Sequence, residues 1–98
     1  VSPGSPKYEL AREVGALLCE HGFRVVTGGL GGVMEAASRG ARESPAWTPG
    51  TVVALLPGFD PAHANPYADV VITTGLDHLR NALVAQADAV IAIGGGAG

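Results

Sequence analysis

The stretch Phe23-Arg24-Val25-Val26-Thr27-Gly28-Gly29-Leu30-Gly31-Gly32-Val33-Met34-Glu35-Ala36-Ala37 decides how this chain folds. A short β-branched run, suited to a pleated surface, breaks on glycines at 28, 29, 31 and 32. Glycine lets the backbone turn sharply and approach another group without a Cβ in the way. A helix expected over 32–42 follows, and its small alanines let it lie close to a sheet. Strand, glycine turn and helix in that order form the repeating unit of an α/β fold.

Both flanks repeat the alternation. Upstream, Ser5-Pro6 supplies an N-cap and a proline at the first helical position. Leu10, Val14, Leu17 and Leu18 recur at helical spacing and are expected to face inward, with Gly22 ending a helix over 6–21. Downstream, residues 44–50 read as a loop, and Thr51 to Leu56 as a strand apolar on both faces. A proline-bearing loop, Phe59 to Ala68, precedes a strand over 69–73. Asp77 is expected to cap a third helix through about residue 87, with Leu79, Leu83 and Val84 inward. A last strand over 89–93 empties into Gly94-Gly95-Gly96-Ala97-Gly98. The order α-β-α-β-β-α-β predicts an open, mainly parallel α/β sheet flanked by helices. It is read as one domain, 1–98, truncated at both ends: a helix comes first, and a turn that ordinarily feeds a helix comes last.

Composition narrows the function. Ninety-eight residues support one small domain. Charged residues are 15%, against about 25% in typical domains, while 47% are hydrophobic. So little charge implies faces covered by further chain or by a partner. A net charge of −3 lacks the basic footprint of a nucleic-acid binder. No apolar run approaches the roughly 20 residues that span a bilayer, and without a charged leader the expected compartment is the cytoplasm. Cys19 stands alone, which excludes an internal disulfide, and the three histidines lack metal-ligand spacing.

Ligands of open α/β sheets bind beyond the carboxyl ends of the strands. Three strands end there in glycine: Thr27-Gly28-Gly29-Leu30-Gly31-Gly32, Thr73-Thr74-Gly75 and Ile93-Gly94-Gly95-Gly96. Exposed N–H groups backed by a helix N-terminus favour phosphate, so these turns are read as a cradle for a phosphorylated small molecule. The turn is not a P-loop, because no Gly-Lys-Ser/Thr follows. Nor is it a dinucleotide fingerprint, because Met34 stands where the third glycine belongs and Leu56-Pro57 where an acidic ribose ligand belongs. Arg80, near the ligand edge, pairs with an anion or is a solvated surface arginine. Glu35 caps the helix dipole unless it also meets a ligand hydroxyl. His63, Asn65 and Tyr67 form a rim or are simply loop polarity. His21 is read as structural and Cys19 as packing.

The run from Thr27 to Ala37 resembles the Rossmann-like superfamily that unites the LOG proteins, the DprA/Smf-related proteins and the molybdenum-cofactor carrier proteins. The likeness continues through Val53-Ala-Leu-Leu-Pro-Gly, Ala64-Asn-Pro-Tyr, Thr74-Gly-Leu, Arg80-Asn81 and 87–98. It implies a Rossmann-like fold with a strand before Val1 and a helix after Gly98, a homodimer, and no intrinsic cofactor. It also implies a nucleotide or molybdopterin-type ligand held by Thr27, Gly28, Gly29, Gly31, Gly32, Val33, Met34, Glu35, Thr74, Gly75, Arg80, Asn81, Gly94, Gly95, Gly96 and Gly98. The LOG signature Pro-Gly-Gly-x-Gly-Thr-x-x-Glu is altered, with Gly94 in place of proline and the chain ending before the catalytic Glu. Asn81 replaces the basic residue that usually follows the arginine. The carrier-like branch is therefore favoured. The alternative is a nucleoside 5′-monophosphate phosphoribohydrolase, with Arg80 orienting substrate and its glutamate beyond Gly98. Without the family's central strand the sheet is expected to hold an unpaired gap, and the isolated 98-residue chain to be weakly stable.

Overall fold

The computed structural model describes residues 2–84, 86–88, 90, 91 and 93. The elements run α1 (Pro6–Glu20), β1 (Val25–Thr27), α2 (Val33–Glu43), β2 (Val52–Leu56), a 3-10 turn (Pro61–His63), β3 (Val70–Thr73), a second 3-10 turn (Asp77–Arg80) and α3 (Asn81–Val84). The strands form one parallel sheet in the order β1-β2-β3. Val25 stands opposite Val52, and Val53 opposite Val70. With helices flanking the sheet, the architecture is α/β and Rossmann-like.

Local chemistry sets the boundaries. Ser5 Oγ accepts from the Tyr8 amide at 3.3 Å and Pro6 opens α1. Gly22, at φ 83, ends it. On β2, Val52, Ala54 and Leu56 are fully buried while Val53 and Leu55 are half-buried, as befits a strand covered on both faces. β3 is the opposite: all four residues are exposed along the sheet's edge.

The face of α1 that enters the core differs from expectation. Tyr8, Ala11, Gly15 and Cys19 are buried, whereas Leu10 and Leu17 remain about half exposed. The cause is the crossing of α1 over α2. A Cβ on Gly15 would overlap the Ala37 carbonyl oxygen, and a Cβ on Gly40 would overlap that of Arg12. Backbones this close admit only small residues, so the leucines lie off the contact. Two small apolar clusters result. Cys19, Val25, Ala41 and Val52 form one, and Tyr8, Ala11 and Ala36 the other. Cys19 packs, as expected, and His21 is held to the Leu17 carbonyl through Nδ1 at 2.8 Å.

At the amino ends of β2 and β3 a polar knot replaces apolar packing. The Asp69 carboxylate accepts from Trp47 Nε1 at 2.8 Å and from the Val52 amide at 2.9 Å. Arg42 reaches its other oxygen at 3.2 Å and lies over the Trp47 ring, 4.6 Å from its centroid. Because the Asp69 side chain is only 8% exposed, these charge-assisted bonds are stronger than surface pairs.

Two further expectations are corrected. The third helix begins as a 3-10 turn whose N-cap is Leu76, and Asp77 sits inside it at φ 50 without capping. Leu79 and Leu83 face outward, at 74% and 45% exposure. The tight 3-10 turn rotates the side chains away from the face that a regular helix would bury. The last expected strand is only partly described: Val90, Ile91 and Ile93 carry no strand assignment. Among the described residues β1 pairs with β2 alone, and a groove runs along its other edge. No helix among the described residues is long and apolar enough to cross a membrane.

Candidate functional site

Thr27 closes β1, and its hydroxyl accepts from the Gly29 amide at 3.0 Å, folding the turn back on the strand. Gly29 cannot be replaced: its φ is 80, and a Cβ there would lie 2.8 Å from Ala54 Cβ and Leu56 Cδ2. Gly32, at φ 69 and ψ −132, is the N-cap of α2 and provides no capping side chain. The first N–H groups of α2 therefore keep their capacity for an anion.

Arg80 comes to this turn from the far side of the sheet. Its guanidinium lies so close over Gly28 that a Cβ there would sit 2.8 Å from one terminal nitrogen, and 2.7 Å from Met34 Sδ. The residue is 8% exposed, which removes the solvated-surface reading. Nη1 donates to the Asn81 side-chain oxygen, while the buried Nε has no partner among the described residues. No ion pair of the described residues includes Arg80. A buried cation with an unspent donor is costly unless an anion completes it.

Thr27, Gly28, Val33, Met34, Arg80 and Asn81 line one crevice of about 650 Å³, which continues past β1 to Val90, Ile91 and Ile93. The other expected residues stand around it in different ways. Gly29, Gly31, Gly32 and Glu35 belong to the turn and helix start but not to the crevice wall. Thr74 and Gly75 are spent on the neighbouring strand exit. The Thr74 hydroxyl donates to the Leu56 carbonyl at 2.7 Å, the Gly75 amide to Gly58 at 3.0 Å, and the Phe59 ring covers Gly75. Gly94, Gly95, Gly96 and Gly98 lie outside the described residues.

Glu35 accepts from the hydroxyl of fully buried Tyr8 at 3.0 Å, a contact that neither sequence pattern announced. Burial chiefly pushes the Tyr8 phenol above its ordinary value of 10.0; the Arg39 guanidinium opposes this, and Glu35 reinforces it. A raised phenol pKa means stability that is complete below the unfolded value and lost as pH rises through the folded one. Urea titrations from about pH 9 to 11 are expected to show stability declining above about pH 10, and Tyr8→Phe to flatten that decline. An alkaline limb identical in the variant would assign it to another group.

Asn65, which from sequence reads either as part of a rim or lid or as plain loop polarity, is 8% exposed and bonded to the glycine turn. Its own position before Pro66 was the available signal, because asparagine bonds the backbone two residues on in such turns. His63 and Tyr67 stay on the outer side of that loop, His63 beside Asp60 at 3.7 Å and the Tyr67 ring 5.8 Å from the Arg39 guanidinium carbon. No cluster of three metal-ligating side chains occurs among the described residues.

Comparison with known proteins places the chain among relatives of one kind. The SLOG cluster4 family model matches residues 2–98. An uncharacterized protein of Archaeoglobus fulgidus is 42% identical over 92 residues, 93% of this chain and 58% of that protein. The molybdenum cofactor binding protein of the phototrophic bacterium Rippkaea orientalis superposes with a TM-score of 0.84 at 32% identity, covering 98% of this chain and 58% of that one. A structural-genomics crystal structure gives 0.68 at 40% identity, over 86% of this chain and 46% of the other. The chain thus spans just over half the length of the first two of these relatives.

Proposed function

This chain belongs to the SLOG cluster4 family, and on that premise we propose that its glycine turn and the crevice beside it hold the phosphate of a small molecule, a molybdopterin-type cofactor or nucleotide, as a carrier does. The observation that carries the reading is the buried Arg80 guanidinium, whose Nε has no partner among the described residues, beside an uncapped helix start. A phosphate has the charge and the acceptor oxygens that both features lack. The Rippkaea protein's cofactor supports a molybdopterin-type ligand, and the donor set fits its phosphate end. Glu35, an acceptor in the first turn of α2, suits an N–H or O–H of the organic part. Asn81 stands where the resembling phosphoribohydrolases carry a second basic residue, and the loss of that cation supports holding over hydrolysis.

Gly31 offers the clean test, because open space surrounds the position a Cβ would take there. In the full-length protein Gly31→Val is expected to leave the fold intact and weaken binding of AMP or of the molybdenum cofactor at least about 100-fold by calorimetry. Equal affinity in the variant would count against the site, and release of free base from AMP would replace the carrier with the hydrolase.

A further inference from the structure

The loop between β2 and β3 is bonded into the glycine turn by one residue, through both its backbone and its side chain. The Asn65 amide donates to the Gly29 carbonyl at 2.8 Å, and its Nδ2 to the Leu30 carbonyl at 3.2 Å. Its Oδ1 accepts from the Tyr67 amide at 3.0 Å, which fixes the side chain's orientation. A buried asparagine that spends both ends this way is a rigid bracket.

The peptide plane gives this bracket a consequence. In a trans peptide the N–H points opposite to the preceding C=O. Holding the Gly29 and Leu30 oxygens against Asn65 therefore turns the Leu30 and Gly31 N–H groups to the opposite side of the turn. It also removes two carbonyl dipoles that would repel an anion. Without the bracket the glycines leave these planes free to rotate.

We propose that Asn65 is a positioning residue, which sets the glycine turn in its anion-accepting orientation before any ligand arrives. The proposal rests on the ligand reading above for its purpose, but the bracket itself is testable without ligand. Asn65→Ser is the variant of choice: its hydroxyl still accepts from the Tyr67 amide but is too short to reach Leu30. Asn65→Ala removes both side-chain bonds, and Asp60→Ala, which removes the bond to the Ala62 amide at 2.9 Å and the 3.7 Å contact with His63, controls for loop stability.

In the full-length protein, Asn65→Ser keeps the backbone bond to the Gly29 carbonyl and frees the Leu30 carbonyl. It is therefore expected to shift the Gly31 amide resonance and, as the turn loosens, to speed Gly29 amide exchange about tenfold. Asp60→Ala is expected to change neither. Well below the unfolding midpoint, inorganic phosphate and AMP should each bind about tenfold more weakly to Asn65→Ser than to wild type. Unchanged resonances and exchange in Asn65→Ser overturn the bracket, even if Asn65→Ala does not fold. Altered resonances with wild-type affinity overturn its positioning role. If wild type binds neither probe, the ligand reading fails and the positioning role falls with it, while the resonances still decide the bracket.

Discussion

Gly40→Ala is expected to destabilise the protein by about 3 kcal/mol, the upper part of the range for overpacking a close contact. The added methyl would overlap the Arg12 carbonyl oxygen, which belongs to helix backbone and cannot swing aside. The helices must separate, and the small clusters on either side of their crossing open with them. For a domain of this size the thermal midpoint should fall by more than about 10 °C in circular dichroism melts. Gly22→Ala is the comparison. It has φ 83 but open space around it, so only the left-handed backbone penalty of about 1 kcal/mol applies. Equal losses in the two variants would show that the helix crossing has room to spare.

Arg80→Met is expected to move stability and binding in opposite directions. Removing a buried guanidinium that has no carboxylate partner among the described residues should leave the midpoint unchanged or raise it. Methionine fills a similar volume beside Met34. Phosphate-bearing ligands should lose at least about 100-fold in affinity, the size of a charge-assisted contact in a buried site. Paired melting curves and calorimetry check both halves. A less stable variant that still binds would make Arg80 a structural residue.

The order of strands and helices was legible because periodicity and glycine punctuation act locally. Thr27 to Glu35 reads as strand, turn and helix without any tertiary contact. The buried face of α1 was not legible in this way. Leu10 and Leu17 obey helical spacing, yet the contact between the helices depends on Gly15 meeting Ala37 and Gly40 meeting Arg12, pairs remote in sequence, and only those close approaches make the smaller face the inner one. Arg80 was marked as a candidate by its place near the ligand edge, but its burial follows from the route of the chain over the tip of β1. Asn65 illustrates the same limit. Its turn-forming bond to Tyr67 is local, while its hold on Leu30 spans 35 positions.

Asp69 and its partners stand at the amino ends of the strands, the glycine turn at their carboxyl ends. The sheet is thus riveted at one rim by side chains and shaped at the other mainly by backbone. Substitutions that retune recognition can accumulate along the second rim, at Gly31 or in the outer loop, while the rivet keeps the strands aligned. Such a division of labour gives the scaffold room to vary its turn across evolutionary time without relearning how to fold.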